Sequence, residues 1–339
     1  MPTPILYHEG AVDPFRHLSD EERTPSVALF YATAREPGVS ADDSFYGNDP
    51  SETVRLGRAV VAIGEEGATW DDVHAASTAP ERLEPVPLRL ESAMEMAMLD
   101  PIIAAERGSL PASLREFVEA VNDRIDASRD RELLVYVHGT KVSFYRSCVR
   151  AAELLHFAGR DLVGVLFDWP SHQNILAYLD GEDKERARRA AAPLESLLVF
   201  LGEHTTAERI HVLCYSAGGL VTSHALARLR RAFPDWDSDR LQEHFRIGTV
   251  IFMAADLSIR DFLHEVPDIH DLADRVVVTM SDADTVLETA TVWMEHGGRI
   301  GMEGAWDTEE ARDTARRLHR LELLDLSLAK EERGFDIGG

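Results

Sequence analysis

His211-Val212-Leu213-Cys214-Tyr215-Ser216-Ala217-Gly218-Gly219 is the stretch whose reading decides the fold. Residues 209–214 form a short apolar run of strand length. The segment 220–233 then sets Val221, Ala225, Leu226, Leu229, Ala232 and Phe233 on one helical face and leaves His224, Arg228 and Arg231 off it. A serine therefore stands where a strand runs into a helix, followed by small residues that permit a tight turn and close backbone approach. In that geometry the hydroxyl is exposed above a sheet, and the free N–H groups of a helix start, Ala217 among them, face the same place. The G-x-S-x-G pattern of such a turn has Gly where this chain has Cys214, a small side chain able to replace it. Taken alone, the stretch equally fits a serine that only caps its helix.

The flanking sequence decides between these readings. Leu133–Val137 is an apolar run with no polar face, as a parallel strand covered on both sides requires, and Gly139 permits a turn directly after it. A helix follows over 143–157, then a strand over 161–167 ending in Asp168-Trp169-Pro170-Ser171-His172, then a helical region over 184–202 that Pro193 should kink or divide. Strand–helix alternation of this kind builds a doubly wound, mostly parallel sheet covered by helices, with ligands gathered at the carboxyl ends of the strands. Ser216, His138, Gly139, Asp168 and His172 all fall at such ends.

Upstream, Val27–Tyr31 and Val54–Ile63 read as strands, Gly57 marking a bulge in the second, with a long surface loop over 34–52. Leu88–Ser92 fits an edge strand, and a helix opens near Leu110 with Leu114, Phe117, Val118 and Val121 on one stripe. The expected organisation is a poorly ordered segment over 1–26 and one domain over 27–339. Within it, 27–131 supplies N-terminal strands and decoration and 132–339 the core.

The 339 residues suffice for a full core, and a formal charge of -25 argues against nucleic-acid or anionic-membrane surfaces. No run has the length of a membrane span, and the start carries no basic segment followed by an apolar stretch, so no secretion signal is expected. The two cysteines, Cys148 and Cys214, offer no disulfide framework and suggest a reducing, cytoplasmic setting. No Gly-x-Gly-x-x-Gly follows the first core strand and no clustered histidine spacing accompanies the acids near 256, 268 and 282–284, so neither a nucleotide cofactor nor a metal is expected. Oligomeric state is not legible.

Several motifs in order resemble an uncharacterised α/β-hydrolase family of esterase/lipase-like proteins of unknown function. Phe30-Tyr31-Ala32-Thr33-Ala34-Arg35, Tyr46-Gly47-Asn48 and Leu56-Gly57-Arg58-Ala59 resemble its opening. His138-Gly139-Thr140-Lys141-Val142-Ser143-Phe144 is similar to its His-Gly-Tyr-Asn-x-Ser-Phe, Phe167-Asp168-Trp169-Pro170-Ser171 to its Phe-Ser-Trp-Pro-Ser, and Tyr215-Ser216-Ala217-Gly218 to its elbow. The resemblance implies an α/β-hydrolase fold with an N-terminal extension and Ser216 as nucleophile. Through Ser281–Leu287 it implies Asp284 as the acid, with Asp256 and Asp282, at or near strand ends, as alternatives. Both Asp282 and Asp284 also suit the cap of a helix over 284–295.

For a complete site the expected chemistry is acyl transfer from a small-molecule ester to water. The N–H of Ala217 and one from Thr140 or Lys141 would bind the oxyanion, and Gly139, Tyr215, Asp168, Trp169 and His172 would line the pocket. The base is the difficulty. A histidine should follow the last strand, Leu321–Ser327, and 328–339 contains none; His319 precedes that strand. The resemblance places the base, and a closing helix, just beyond Gly339, so the expectation is either a shortened chain or a lost base. His172, His264 and His270 are the remaining approaches. The competing expectation is a catalytically silent scaffold that binds a ligand or a protein.

Overall fold

The computed structural model describes residues 4, 7, 12–38, 45–79, 85–100, 110–172, 181–281 and 298–327. Among the described residues, nine strands form one sheet: β1 Ser26–Pro37, β2 Tyr46–Ile63, β3 Leu88–Leu99, β4 Glu132–Val137, β5 Val163–Asp168, β6 Arg209–Tyr215, β7 Ile247–Met253, β8 Ala273–Met280 and β9 Leu321–Asp325. Their order is β3-β2-β1-β5-β4-β6-β7-β8-β9. Every pair from β1–β5 to β8–β9 is parallel, and β1–β2 and β2–β3 are antiparallel. The described helices are α1 Trp70–Thr78, α2 Ala112–Ala127, α3 Phe144–Phe157, α4 Glu182–His204, α5 Gly218–Ala232, α6 Ser238–Phe245, α7 Ile259–Leu272 and α8 Glu309–Arg317.

Apolar side chains leave the two faces of this sheet to different helices. Leu114, Phe117, Leu194, Leu197, Val221, Leu226 and Phe262 bring α2, α4, α5 and α7 onto one face. On the other, Val73 of α1 and Cys148, Ala152 and Leu155 of α3 cover Leu29, Leu134, Tyr136 and Leu166. Both cysteines are buried and unpaired. With both faces covered, the central strands are uniformly apolar, as the run Leu133–Val137 foretells.

Two expectations need correction. The stretch 34–52 is not one long loop: β1 runs on to Pro37 and β2 begins at Tyr46, with Arg35 paired to Pro50 and Pro37 to Tyr46. Pro193 does not divide its helix; α4 is continuous over 23 residues, and Pro193 is buried beside Ala190, Leu194 and Leu197. Before Val27, Phe15 and Leu18 are buried, and Phe15 stacks on His156 at 4.6 Å. Gly57 does sit at a register shift between β2 and β3, where a Cβ would lie 2.3 Å from Met94 O and the Tyr31 ring.

The chain leaves β4 for β5 on one side and β6 for β7 on the other. The crevice between β4 and β6 is the topological switch point where ligands collect in such sheets. Gly139 and Ser216 flank it.

Candidate active site

Ser216 lies between the end of β6 and the start of α5 with φ of 51°, the left-handed region that a side-chain-bearing residue enters only when its surroundings impose it. Those surroundings are specific. Its N–H donates to Met253 O at 3.1 Å, and its carbonyl accepts from Gly219 N at 2.9 Å and Asp256 N at 3.1 Å. Close packing against the end of β4 falls on two glycines: a Cβ on Gly218 would lie 2.6 Å from Val137 O and His138 O, and one on Gly139 would lie 3.0 Å from Ser216 Cβ. Cys214 is fully buried. Its thiol donates to Ile251 O at 3.3 Å, and burial pushes its pKa up to about 12, so it stays a neutral thiol.

The turn after β4 faces the elbow. Lys141, exposed, also has left-handed backbone, with φ of 59°. Thr140 donates its hydroxyl to Asp183 Oδ2, Val142 N donates to Ser171 Oγ at 3.2 Å, and Val142 O accepts from Arg35 Nη2 at 2.7 Å. Among the described residues, the N–H groups of Thr140, Lys141 and Ala217 donate to no backbone carbonyl. Tyr215 is half-buried beside Gly139, its ring 3.3 Å from where a Cβ would stand.

Asp168 and Trp169, expected to line the pocket, are fully buried. Asp168 Oδ1 accepts from Ser147 Oγ at 2.8 Å and contacts His138 Nε2 at 3.1 Å; Oδ2 accepts from Thr33 Oγ1 at 2.6 Å and Arg35 Nε at 2.7 Å. Burial alone would raise this carboxyl's pKa. The Arg35 charge and the bonds from His138 and Thr33 overrule it and hold the group well below the usual aspartate range. Arg35, itself wholly buried, also reaches Gly47 O, Asn48 Oδ1 and Trp169 O. His138 is enclosed in the same network, with Nδ1 at 2.7 Å from Gly139 O and its ring stacked on Trp169. The motifs around 30–35, 46–48, 138–142 and 167–171 thus meet through one guanidinium. Arg35 is the residue that spacing could not single out, although it closes the first of those motifs.

Asp256 follows β7 beside the elbow, and its Oδ1 lies 2.9 Å from Arg299 Nε, both side chains buried. Asp282 and Asp284 lie outside the described residues. His172 is held through its N–H by Asp183 Oδ1 at 2.8 Å, and its ring pairs with Glu182 at 3.4 Å. His264 is exposed on α7. His270, near the end of α7 that leads into the start of β8, packs edge-on against His319 at 5.0 Å, which sets it toward the amino ends of the strands. Among the described residues, no histidine hydrogen-bonds Ser216 Oγ.

Strand order, parallel direction and a strained serine turn at the switch point define the α/β-hydrolase fold. Residues 113–335 match a family model described as alpha/beta hydrolase of unknown function (DUF900), and the chain belongs to that family. Among solved structures, Thermogutta terrifontis esterase 2, phosphoramylated by tabun, is 14% identical, covering 59% of this chain and 73% of its own, with a TM-score of 0.31. A structure from a study of two prolyl endopeptidases is 10% identical with a TM-score of 0.32; the match covers 87% of this chain but only 43% of that one. No curated protein matches. Among the described residues, no helix is long and apolar enough to cross a membrane.

Proposed function

We propose that the protein is a serine hydrolase of esterase type, with Ser216 as its nucleophile. The observation that carries this reading is the left-handed backbone of Ser216 at a strand–helix turn packed against Gly139, with the neighbouring N–H groups of Thr140, Lys141 and Ala217 donating to no backbone carbonyl among the described residues. A serine that merely capped α5 would need no such strain, and strain persists where the surroundings over-determine it. In the proposed reaction Ser216 Oγ bonds to the acyl carbon of a small ester and its proton passes to a histidine. The alcohol leaves with that proton, and water then releases the acid by the reverse path. The N–H groups of Ala217 and of Thr140 or Lys141 receive the oxyanion. Gly139 gives substrate access, Tyr215 and His172 border the pocket, and Asp168 and Trp169 support it from beneath.

We assign the acid to Asp284, four residues beyond the end of β8. Asp256, the alternative, already faces the Arg299 guanidinium. A second reading, a silent scaffold that binds a ligand or partner, is favoured by one observation: no described histidine bonds to Ser216 Oγ.

A fluorophosphonate probe separates the two. Labelling mapped to Ser216 and lost in Ser216→Ala is the expected result. A folded protein that takes no label refutes the hydrolase reading and leaves the scaffold.

A further inference from the structure

We propose that Asp183 is a positioning residue for the oxyanion turn: its carboxylate ties Thr140, after β4, to His172, after β5, and thereby fixes the direction of the Thr140 and Lys141 N–H groups toward Ser216. This rests on the hydrolase reading of Ser216.

Asp183 lies in the first turn of α4, where acids commonly face solvent and gain from the helix dipole. Its neighbours in that turn do so, with Glu182 and Glu185 side chains 65% and 56% exposed. Asp183 is instead 1% exposed and turned inward. Oδ2 takes the Thr140 hydroxyl and Oδ1 takes the His172 N–H, so one buried carboxylate closes two separate strand-end turns onto each other. A dipole contact alone would not require that burial, which costs free energy unless both oxygens are satisfied.

The turn needs such a tie. Lys141 has φ of 59°, a conformation that relaxes into ordinary backbone unless its flanks are held. On its far side, Val142 is held by Arg35 and Ser171. On its near side, the Thr140 hydroxyl is the hold. Oxyanion stabilisation depends on donors already aimed at the developing charge, so slack at Thr140 lowers the rate of acylation and leaves ground-state binding largely untouched.

The test measures fluorophosphonate labelling of Ser216 and p-nitrophenyl acetate hydrolysis in the 339-residue protein and in Thr140→Val, Thr140→Ser, Asp183→Ala and the Asp183→Ala/Thr140→Val double variant. Thr140→Val keeps the side-chain shape and removes only the hydroxyl. It is expected to cut kcat and the labelling rate by about 10- to 100-fold, short of or near the loss from deleting an oxyanion donor outright, with KM within about twofold. Thr140→Ser restores the rate, and the double variant is no slower than Asp183→Ala, because the two act through one bond. A Thr140→Val protein that labels as fast as the parent overturns the proposal even if Asp183→Ala fails to fold, and where Asp183→Ala does fold, a double variant whose losses multiply overturns it as well. A folded parent that takes no label at Ser216 overturns the hydrolase reading and this inference with it.

Discussion

Replacing Asp168 with Asn tests the buried network under the site most directly. The carboxylate is 0% exposed and accepts on both oxygens, with Arg35 Nε at 2.7 Å and Thr33 Oγ1 at 2.6 Å on one and Ser147 Oγ at 2.8 Å on the other. An amide in its place turns one acceptor into a donor. Facing Arg35, it sets N–H against N–H; turned over, its oxygen still accepts from Arg35 and its N–H meets Ser147 and His138, whose hydroxyl and ring nitrogen must then act as acceptors. Either way the Arg35 charge loses its counter-ion within the core. Breaking a buried pair from one side costs about 3 to 5 kcal/mol, read in urea at pH 7 as a lower midpoint at unchanged m. The pH dependence follows from the sign of the shift. Asp168 is depressed in the fold, so its contribution is complete above the unfolded carboxyl pKa of about 3.9 and declines as pH falls from there toward the folded value. The gap between parent and Asp168→Asn should therefore be constant from pH 7 to pH 5 and narrow below about pH 4. Neutralising both partners, as in Asp168→Asn/Arg35→Met, should cost less than the sum of the singles, since no charge is then stranded. A single-variant cost below about 1 kcal/mol, or a gap that fails to narrow on acidification, would refute the assignment of Asp168 as the counter-ion of Arg35.

Two further substitutions probe the turns. Lys141→Asn places at φ of 59° a residue that tolerates left-handed backbone, and should raise stability by about 0.5 to 1 kcal/mol in chemical denaturation; a loss would show that the lysine side chain has a structural partner. Gly218→Ala puts a Cβ 2.6 Å from Val137 O and His138 O, where only backbone can give way. It should cost about 1 to 3 kcal/mol and abolish labelling of Ser216, whereas full labelling at parental stability would show that the elbow shifts freely.

The element pattern was readable wherever local periodicity and burial agree. Leu133–Val137 and Arg209–Tyr215 are strands because an apolar run bounded by turn residues has no other way to bury both faces. The helix expected over 143–157 is α3, with Ser143 standing just outside it as the cap that accepts from Arg146 N. Periodicity misled where tertiary packing overrides local preference. Pro193 stays inside α4 because its whole flank is buried, and packing there outweighs a helix penalty of about 3 kcal/mol. Tyr46–Ser51 joins β2 despite its Asn, Asp and Pro, because β1 supplies the pairing.

What the sequence determined by itself is therefore the alternation of strands and helices, the serine at the junction of β6 and α5, and the motifs that surround it. These are written in spacing, and spacing governs local geometry. Partners are another matter. That Arg35 meets Asp168, 133 positions away, and that Asp183 turns inward to Thr140 while Glu182 stays in water, was decided only in the tertiary structure. A charged side chain looks the same in sequence whether solvated or buried, and only the completed sheet settles which one loses its water and must find a partner.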